Sequence, residues 1–431
     1  MEIYYMNIIV KNTLPTLVFL ICFFTTSISI AVDHDTIDCS NDSLQSAIDD
    51  ASPGDTISVK GVCNESIVIK TDDLTLIGDM SDSNAKLSGE LLFFATMIKI
   101  DSAVRLTIRG FDIVNGLTGV DAKNGASFSL IDSSISGMIV GGNFETNTNA
   151  LLKNVVIENS STIGLDVKSG STVTVVNSFT IVSSSAFGLE VLDGAELKVT
   201  ENSNLTLTGN LLGAQIAGGS TMFIDTDSTV NADNNILIGL SINTGSSVVM
   251  FNSDMSANGN GLDGLDIISS SNLDVDGNST LTVNNNRREG ISLDDGSLNI
   301  FGFFSSEPGL PKITANGNTN NGIQLEFGGK LDIGRNSSLE TMNNGMAGVS
   351  LDNGSSAIIH DSVIQGNNGV LLDDHAGEHG SKHRDDDANE HGPADIVATF
   401  GSRISFQGNN DIGLVLCDRT SISRGDIRCR R

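Results

Sequence analysis

The chain has 431 residues and a formal net charge of −29, from 24 Lys and Arg against 53 Asp and Glu. That balance argues against nucleic acid or an anionic membrane as partner, and against a polyanionic glycan unless metal ions bridge the two. There is no Trp, and both Tyr residues (Tyr4 and Tyr5) lie near the start, so beyond them only Phe could supply a stacking ring for sugars.

Residues 1–31 read as a secretory signal peptide. Lys11 is their only cation, Leu14 to Phe24 is an apolar run of 11 residues, and Ser29-Ile30-Ala31 is a small-residue cleavage site. The run is too short to span a bilayer. The expected mature chain, from about Val32, is therefore exported and has no transmembrane segment, with a secreted, periplasmic or cell-surface location. Cys22 leaves with the signal. Four cysteines remain, close in sequence as Cys39 with Cys63 and Cys417 with Cys429. Four allow three connectivities, and proximity in an oxidising compartment favours one bridge at each end.

After the signal, Ser43 to Ala51 (SLQSAIDDA) puts Leu44, Ala47, Ile48 and Ala51 on one helical face, which predicts a short amphipathic cap. Pro53-Gly54-Asp55 then turns the chain into TISV. MIKI at Met97 and LTIRGFDIV from Leu106 supply further strands, and Gly119 (GVDA) and Gly137 (GMIV) open a phrase of the form Gly–apolar–any–apolar. The phrase returns at Gly164, Gly188, Gly213, Gly239, Gly264, Gly290, Gly322, Gly348, Gly369 and Gly413, in steps of 24, 25, 26, 25, 26, 32, 26, 21 and 44 residues. A period near 25 is a solenoid signature, because so small a unit cannot bury its own apolar face.

Within a unit the apolar residues alternate with polar ones, as half-buried strands require. From Gly188, GLEV, ELKVT and NLTLTG are separated by turns at Asp193-Gly194 and Asn202-Ser203. With no helical pattern between strands, each must stack on its equivalent one turn earlier. Asn and Gly gather before each phrase, as at Asn258-Gly259-Asn260 and Asn284-Asn285-Asn286, where tight corners call for left-handed backbone. A second turn column follows at Gly170, Gly194, Gly219, Gly245, Gly296, Gly329 and Gly354. Two steps are long. One holds FFSSEPGLPK with Pro308 and Pro311. The other holds an acidic, His-rich insert, residues 374–394, within an expected β-helix domain running from 32 to 431.

The opening LQSAIDDASPGDTISVKGVCNESIVI followed by LTLIGD resembles the start of right-handed parallel β-helix proteins, the superfamily of pectate-lyase-like enzymes and NosD-type carbohydrate-associated repeats. The resemblance implies an all-β fold: a single right-handed parallel β-helix solenoid of about a dozen rungs with a helical N-terminal cap. It fixes no activity, since the fold hosts lyases, hydrolases, adhesins and non-enzymatic surface proteins.

The residue four after each glycine is Asp294, Glu326, Asp352 and Asp373 in four successive phrases. Four carboxylates on one outward face are a candidate site for Ca²⁺ or another divalent cation, although Asp294-Asp295-Gly296 and Asp352-Asn353-Gly354 are also good turn sequences. The insert adds His375, His379 and His383 at four-residue spacing as candidate ligands for Zn²⁺, Cu²⁺ or Ni²⁺, weakened as a helix by Gly377 and Gly380. Asp373-Asp374, His379-Gly380 and Arg403-Ile404 are fragments of a pectin-hydrolase-like series, but they crowd into the insert, and the Asn-Thr-Asp element is missing. Arg287, Arg288 and Lys330 lie near the acidic column without a base being identifiable. Seven glycosylation sequons begin at Asn41, Asn64, Asn159, Asn204, Asn278, Asn336 and Asn353.

The sequence therefore points to an exported, non-catalytic β-helix protein acting at a surface or in the envelope, with divalent cations as candidate ligands. The alternative is a carbohydrate-active lyase or hydrolase. The expected partner is a polysaccharide or a surface protein rather than nucleic acid, and the expected state is a monomer.

Overall fold

The first described strand, β1 (Asp33–Asp38), lies against β2 (Thr56–Lys60), and between them stands the only helix among the described residues, α1 (Leu44–Asp50). The computed structural model describes residues 33–79, 85–89, 95–184, 186–200, 202–301, 310–369, 394–407, 410–417 and 421–424. Residues 1–32, 302–309 and 370–393 are among those outside them, and with them most of the His-rich insert. No helix among the described residues is long and apolar enough to cross a membrane.

α1 forms where its apolar spacing predicts. Ser43 caps it, its hydroxyl accepting from the Ser46 amide, and Leu44 and Ile48 are buried. Ala47 and Ala51 pack on the same core. Burying the two large side chains contributes roughly 2 kcal/mol each. The Glu65 carboxylate closes the helix start, accepting from the Ser43 hydroxyl at 2.9 Å and the Leu44 amide at 2.6 Å. Gln45 continues the sheet with its side chain. Its Oε1 accepts from the Val68 amide at 2.7 Å, and its Nε2 donates to the Val68 carbonyl at 3.2 Å. The helix thus occupies a first-rung edge that would otherwise be open to pairing. Cys39 and Cys63 are bonded beside it. At the other end Cys417 is disulfide-bonded, and Cys429 lies outside the described residues.

From there the chain is a right-handed parallel β-helix of about a dozen turns. Each turn lays down three short strands. The strands Phe187–Val191, Glu196–Val199 and Asn204–Thr208 pair in parallel with Leu212–Ile216, Thr221–Asp225 and Thr229–Asn231 of the next turn. Alternate residues point inward to one continuous apolar core.

The recurring glycine has a packing reason. A Cβ on Gly264 would stand 2.7 Å from the Asn286 side-chain nitrogen, the Ala257 carbonyl and the Gly290 carbonyl, and Gly213, Gly239, Gly290 and Gly348 meet an asparagine in the same way. Those asparagines form a buried ladder from Asn210 through Asn235, Asn260, Asn286, Asn318 and Asn344 to Asn367. In each, the backbone N–H donates to the side-chain oxygen of the next, as from Asn235 to Asn260 at 2.8 Å and from Asn260 to Asn286 at 2.8 Å. The ladder ends on Asp395, which accepts from the Asn367 amide at 2.9 Å and its Nδ2 at 3.0 Å. A group that only accepts suits the end of the ladder, and its other oxygen accepts from the Leu414 amide of the next turn at 3.2 Å. The asparagine runs therefore do two jobs. Asn285, for example, takes the left-handed turn (φ 56°) and its neighbour Asn286 joins the ladder.

Several expectations are corrected. Gly141, not Gly137, is the equivalent of Gly164, since Val140 pairs with Ile163 and Gly142 with Leu165. Gly369 bridges Ala394, and the residues that follow it lie outside the described ones. Val349 pairs with Ile396, so Asp395 holds the glycine position in that turn, and Leu414 rather than Gly413 holds it in the next. Gly296 and Gly329 belong to the neighbouring column of buried small residues that contains Ser271 and Ser355. The left-handed residue in those two turns is Asp295 (φ 53°) or the Phe327–Gly328 pair.

Candidate functional site

The strands that follow the glycines form one long sheet face. Register aligns their second residues in a file running from Lys99 through Asp121, Asn143, Asp166 and Glu190 to Gln215, Ser241, Asp266 and Ser292. These side chains alternate with core residues and so point outward, as in Leu265–Ile268 and Ile291–Asp294.

Acidic and basic groups concentrate around Asp266. One residue before the glycines, Asp263 is fully buried and Glu289 is buried one turn on. Arg288, which is exposed, spans both. Its Nε lies 2.9 Å from Asp263 Oδ1 and 2.7 Å from Glu289 Oε2, and its Nη2 contacts Asp263 Oδ2. The Glu289 amide donates to Asp263 Oδ1 at 3.0 Å, and Asn320 Nδ2 donates to Glu289 Oε1 at 3.0 Å.

Burial pushes the Glu289 carboxyl up to about 7, with the Asp263 carboxylate adding to the rise against the Asn320 hydrogen bond. Burial and then the Asp263 charge push Asp266 up to about 6, opposed by Arg288. Burial works against the Arg288 charge, but its bond to Asp263 outweighs that and holds the guanidinium above its ordinary value. Two carboxyls that titrate near neutrality beside a fixed ion pair are the arrangement general acid–base chemistry uses.

A second polar group lies farther toward the N-terminus. Lys168 donates to Asp166 Oδ2 at 2.6 Å and sits 3.9 Å from Glu145 Oε2, and Asn143 donates to Asp121 Oδ1 at 2.8 Å. Burial, aided by the Asp166 charge, pushes Glu190 up to about 7.

Of the carboxylates singled out in the sequence, Asp294 and Glu326 are register partners. Gln324 Nε2 donates to Glu326 Oε1 at 2.6 Å. Asp352 Oδ1 accepts from the Asn353 amide at 2.7 Å and the Thr399 hydroxyl at 2.9 Å, as turn carboxylates do. Asp373, His375, His379 and His383 lie outside the described residues. Among the described residues no three His, Cys, Asp or Glu side chains meet at metal-binding distance. Of the basic residues named in the sequence, Arg288 is the one paired with Asp263 and Glu289.

Sequence reasoning passed over Asp263, Asp266 and Glu289. The signal was present in the same glycine alignment, one residue before and two residues after the glycine. A cavity of about 370 Å³ lined by Thr36, Ser58, Ile77, Gly78, Asp79 and Arg109 lies on a different sheet, and Arg109 there is held by Asp132 at 3.0 Å. The concentration of shifted carboxyls, rather than that hollow, marks the candidate site.

The fold defines the chain as a right-handed parallel β-helix protein of about a dozen turns. No family model and no curated protein sequence matches it. Among solved structures it is similar to the A-module of the mannuronan C-5 epimerase AlgE6 from Azotobacter vinelandii, at 12% identity and a TM-score of 0.42 over 90% of this chain and 99% of that one. It is also similar to a mannuronic-acid-specific polysaccharide family 6 lyase from human gut microbiota (12%, TM-score 0.40, 90% and 83%). A third similarity is to the catalytic domain of a GH87 α-1,3-glucanase (11%, TM-score 0.36, 92% and 68%). These are likenesses of fold alone.

Proposed function

We propose that this is an exported, carbohydrate-active protein that hydrolyses a polysaccharide lying along the glycine face, with Glu289 as proton donor and Asp266 as its partner carboxylate. The observation that supports this is the cluster of Asp263, Asp266, Arg288 and Glu289. At neutral pH Glu289 keeps a substantial protonated fraction and Asp266 is mostly ionised, the division of labour that glycoside hydrolysis needs. Asp263, sealed against Arg288, acts through its charge on both neighbours. Incubating the mature protein with a panel of neutral polysaccharides and measuring new reducing ends tests the reading. Glu289→Gln should lower kcat by about 10²-fold or more. Wild-type protein inactive on every member would reject it.

A second reading, a non-catalytic surface protein that binds glycan or protein without turnover, is favoured by how fully Arg288 and Asn320 occupy the Asp263 and Glu289 oxygens. The divalent-cation proposal for this face rests on the register of Asp294 with Glu326. Ca²⁺ calorimetry on wild type and on Asp294→Asn would reject it if the two behave alike.

A further inference from the structure

We infer that Asn143 and Asp166 form a separate subsite for a vicinal hydroxyl pair of a neutral sugar, so that the ligand is a neutral rather than a uronate polymer. This names the substrate class of the carbohydrate reading above and rests on it. Asn143 Oδ1 and Asp166 Oδ1 are both shielded from solvent and have no hydrogen-bond partner, and they are the only carboxyl or amide oxygens so left among the described residues. The two residues are register partners on the outward file, and Asp166 is only 8% exposed.

Buried acceptors without donors are costly, and two on adjacent rungs call for two donors on one ligand. The amide orientation of Asn143 is set by its bond to Asp121, which keeps its oxygen as the free acceptor. A cation is not required here. Lys168 already neutralises Asp166 at 2.6 Å, and the neighbouring carboxyl of Glu190 is held partly protonated near neutrality. A carboxylate on the ligand would meet Asp121, Glu145 and Asp166, and would be repelled. Neutral hydroxyls meet both requirements. They reach the pair once the Glu145 side chain, 31% exposed, swings aside, while the Lys168 ammonium stays on Asp166 Oδ2 and leaves Oδ1 to accept. Asp166 and Asp266 lie four turns apart in the file, roughly 19 Å, so an extended chain could touch both.

Calorimetry with cellohexaose, xylohexaose, laminarihexaose, maltohexaose and hexagalacturonate tests this on the mature protein. In the Glu289→Gln background, which stops turnover, at least one neutral hexasaccharide should bind, and about tenfold more weakly once Asn143→Leu is added. Asn143→Ser serves as a milder variant should the leucine protein fail to unfold cooperatively. Unchanged affinity in a folded Asn143 variant, equal binding of hexagalacturonate, or no binding of any neutral probe would overturn the inference. Asn143-dependent binding without turnover on any polysaccharide would reject the hydrolase reading and leave the subsite standing.

Discussion

Glycine and asparagine carry the repeat at the scale of single residues, and they do so as a pair. From Gly188 to Gly348 the glycine of each turn is fixed by the asparagine of the next, because a methyl group would enter the space of its side-chain amide. Gly264→Ala should therefore cost about 3 kcal/mol by overpacking, even though its φ lies outside the left-handed region. Gly194→Ala makes the opposite case. Its φ is 73° and nothing lies within 4 Å of the added methyl, so only backbone strain remains, about 1 kcal/mol. Urea unfolding midpoints compare the two, and equal costs would show that the asparagine contact is not what excludes a side chain. Asn260→Ala removes the acceptor of the buried Asn235 amide and the donor to Asn286, and should cost about 3 kcal/mol in the same assay. A loss below about 1 kcal/mol would mean that water replaces the ladder bond.

Elements of this fold cannot stand alone, so the ends decide whether the solenoid is closed. At the N-terminal end α1, Glu65 and Gln45 cover the first rung, and the Cys39–Cys63 bridge, spanning 24 residues, ties the end of β1 to the short strand Val62–Cys63. A loop of that length contributes about 3 kcal/mol by restricting the unfolded chain. Cys39→Ser with Cys63→Ser should thus leave the central turns intact and speed hydrogen exchange at Thr56–Lys60. Uniform acceleration along the whole solenoid would show that the cap and the body unfold as one. This end was legible in the sequence because its signals are local: a Ser cap, apolar residues on one helical face, two nearby cysteines. The rungs were legible for a different reason, since one phrase repeated many times outweighs its individual failures. Those failures share a cause. Gly137 and Gly369 match the phrase in sequence, but what defines a rung is the register of its strand with the neighbouring turns, and that register falls on Gly141 and on Asp395.

For the whole molecule, the acidic balance that the sequence displays turns out to be locally organised, and this is why the candidate site was harder to read. A column of carboxylates four residues after the glycine looks conspicuous on paper, yet Asp352 is a turn residue bonded to Asn353 and Thr399. Asp263 and Glu289 occupy a position where most other turns carry an apolar or amide residue, and only burial beside Arg288 reveals their chemistry. That burial has a consequence for stability. Glu190, Asp266 and Glu289 bind protons more tightly in the folded chain, at about 7, about 6 and about 7, than their ordinary values of 4.5, 3.8 and 4.5. The folded state therefore holds more protons than the unfolded one between roughly pH 4 and pH 7. Stability must fall as pH rises through that window. Each group contributes of order 1 kcal/mol once solvent screening is allowed for. Asp73 and Glu340 run the other way, lowered chiefly by hydrogen bonds from Arg105 and Lys312, but their contribution is complete by about pH 5 and leaves the upper window untouched. Thermal unfolding from pH 5 to pH 8 should show a falling Tm in wild type and a flatter profile in the triple variant Glu190→Gln, Asp266→Asn, Glu289→Gln. General repulsion from the charge of −29 also lowers the wild-type curve as pH rises, but the triple variant retains nearly all of it. Parallel slopes in the two proteins would assign the whole effect to that repulsion and leave these three carboxyls ordinary.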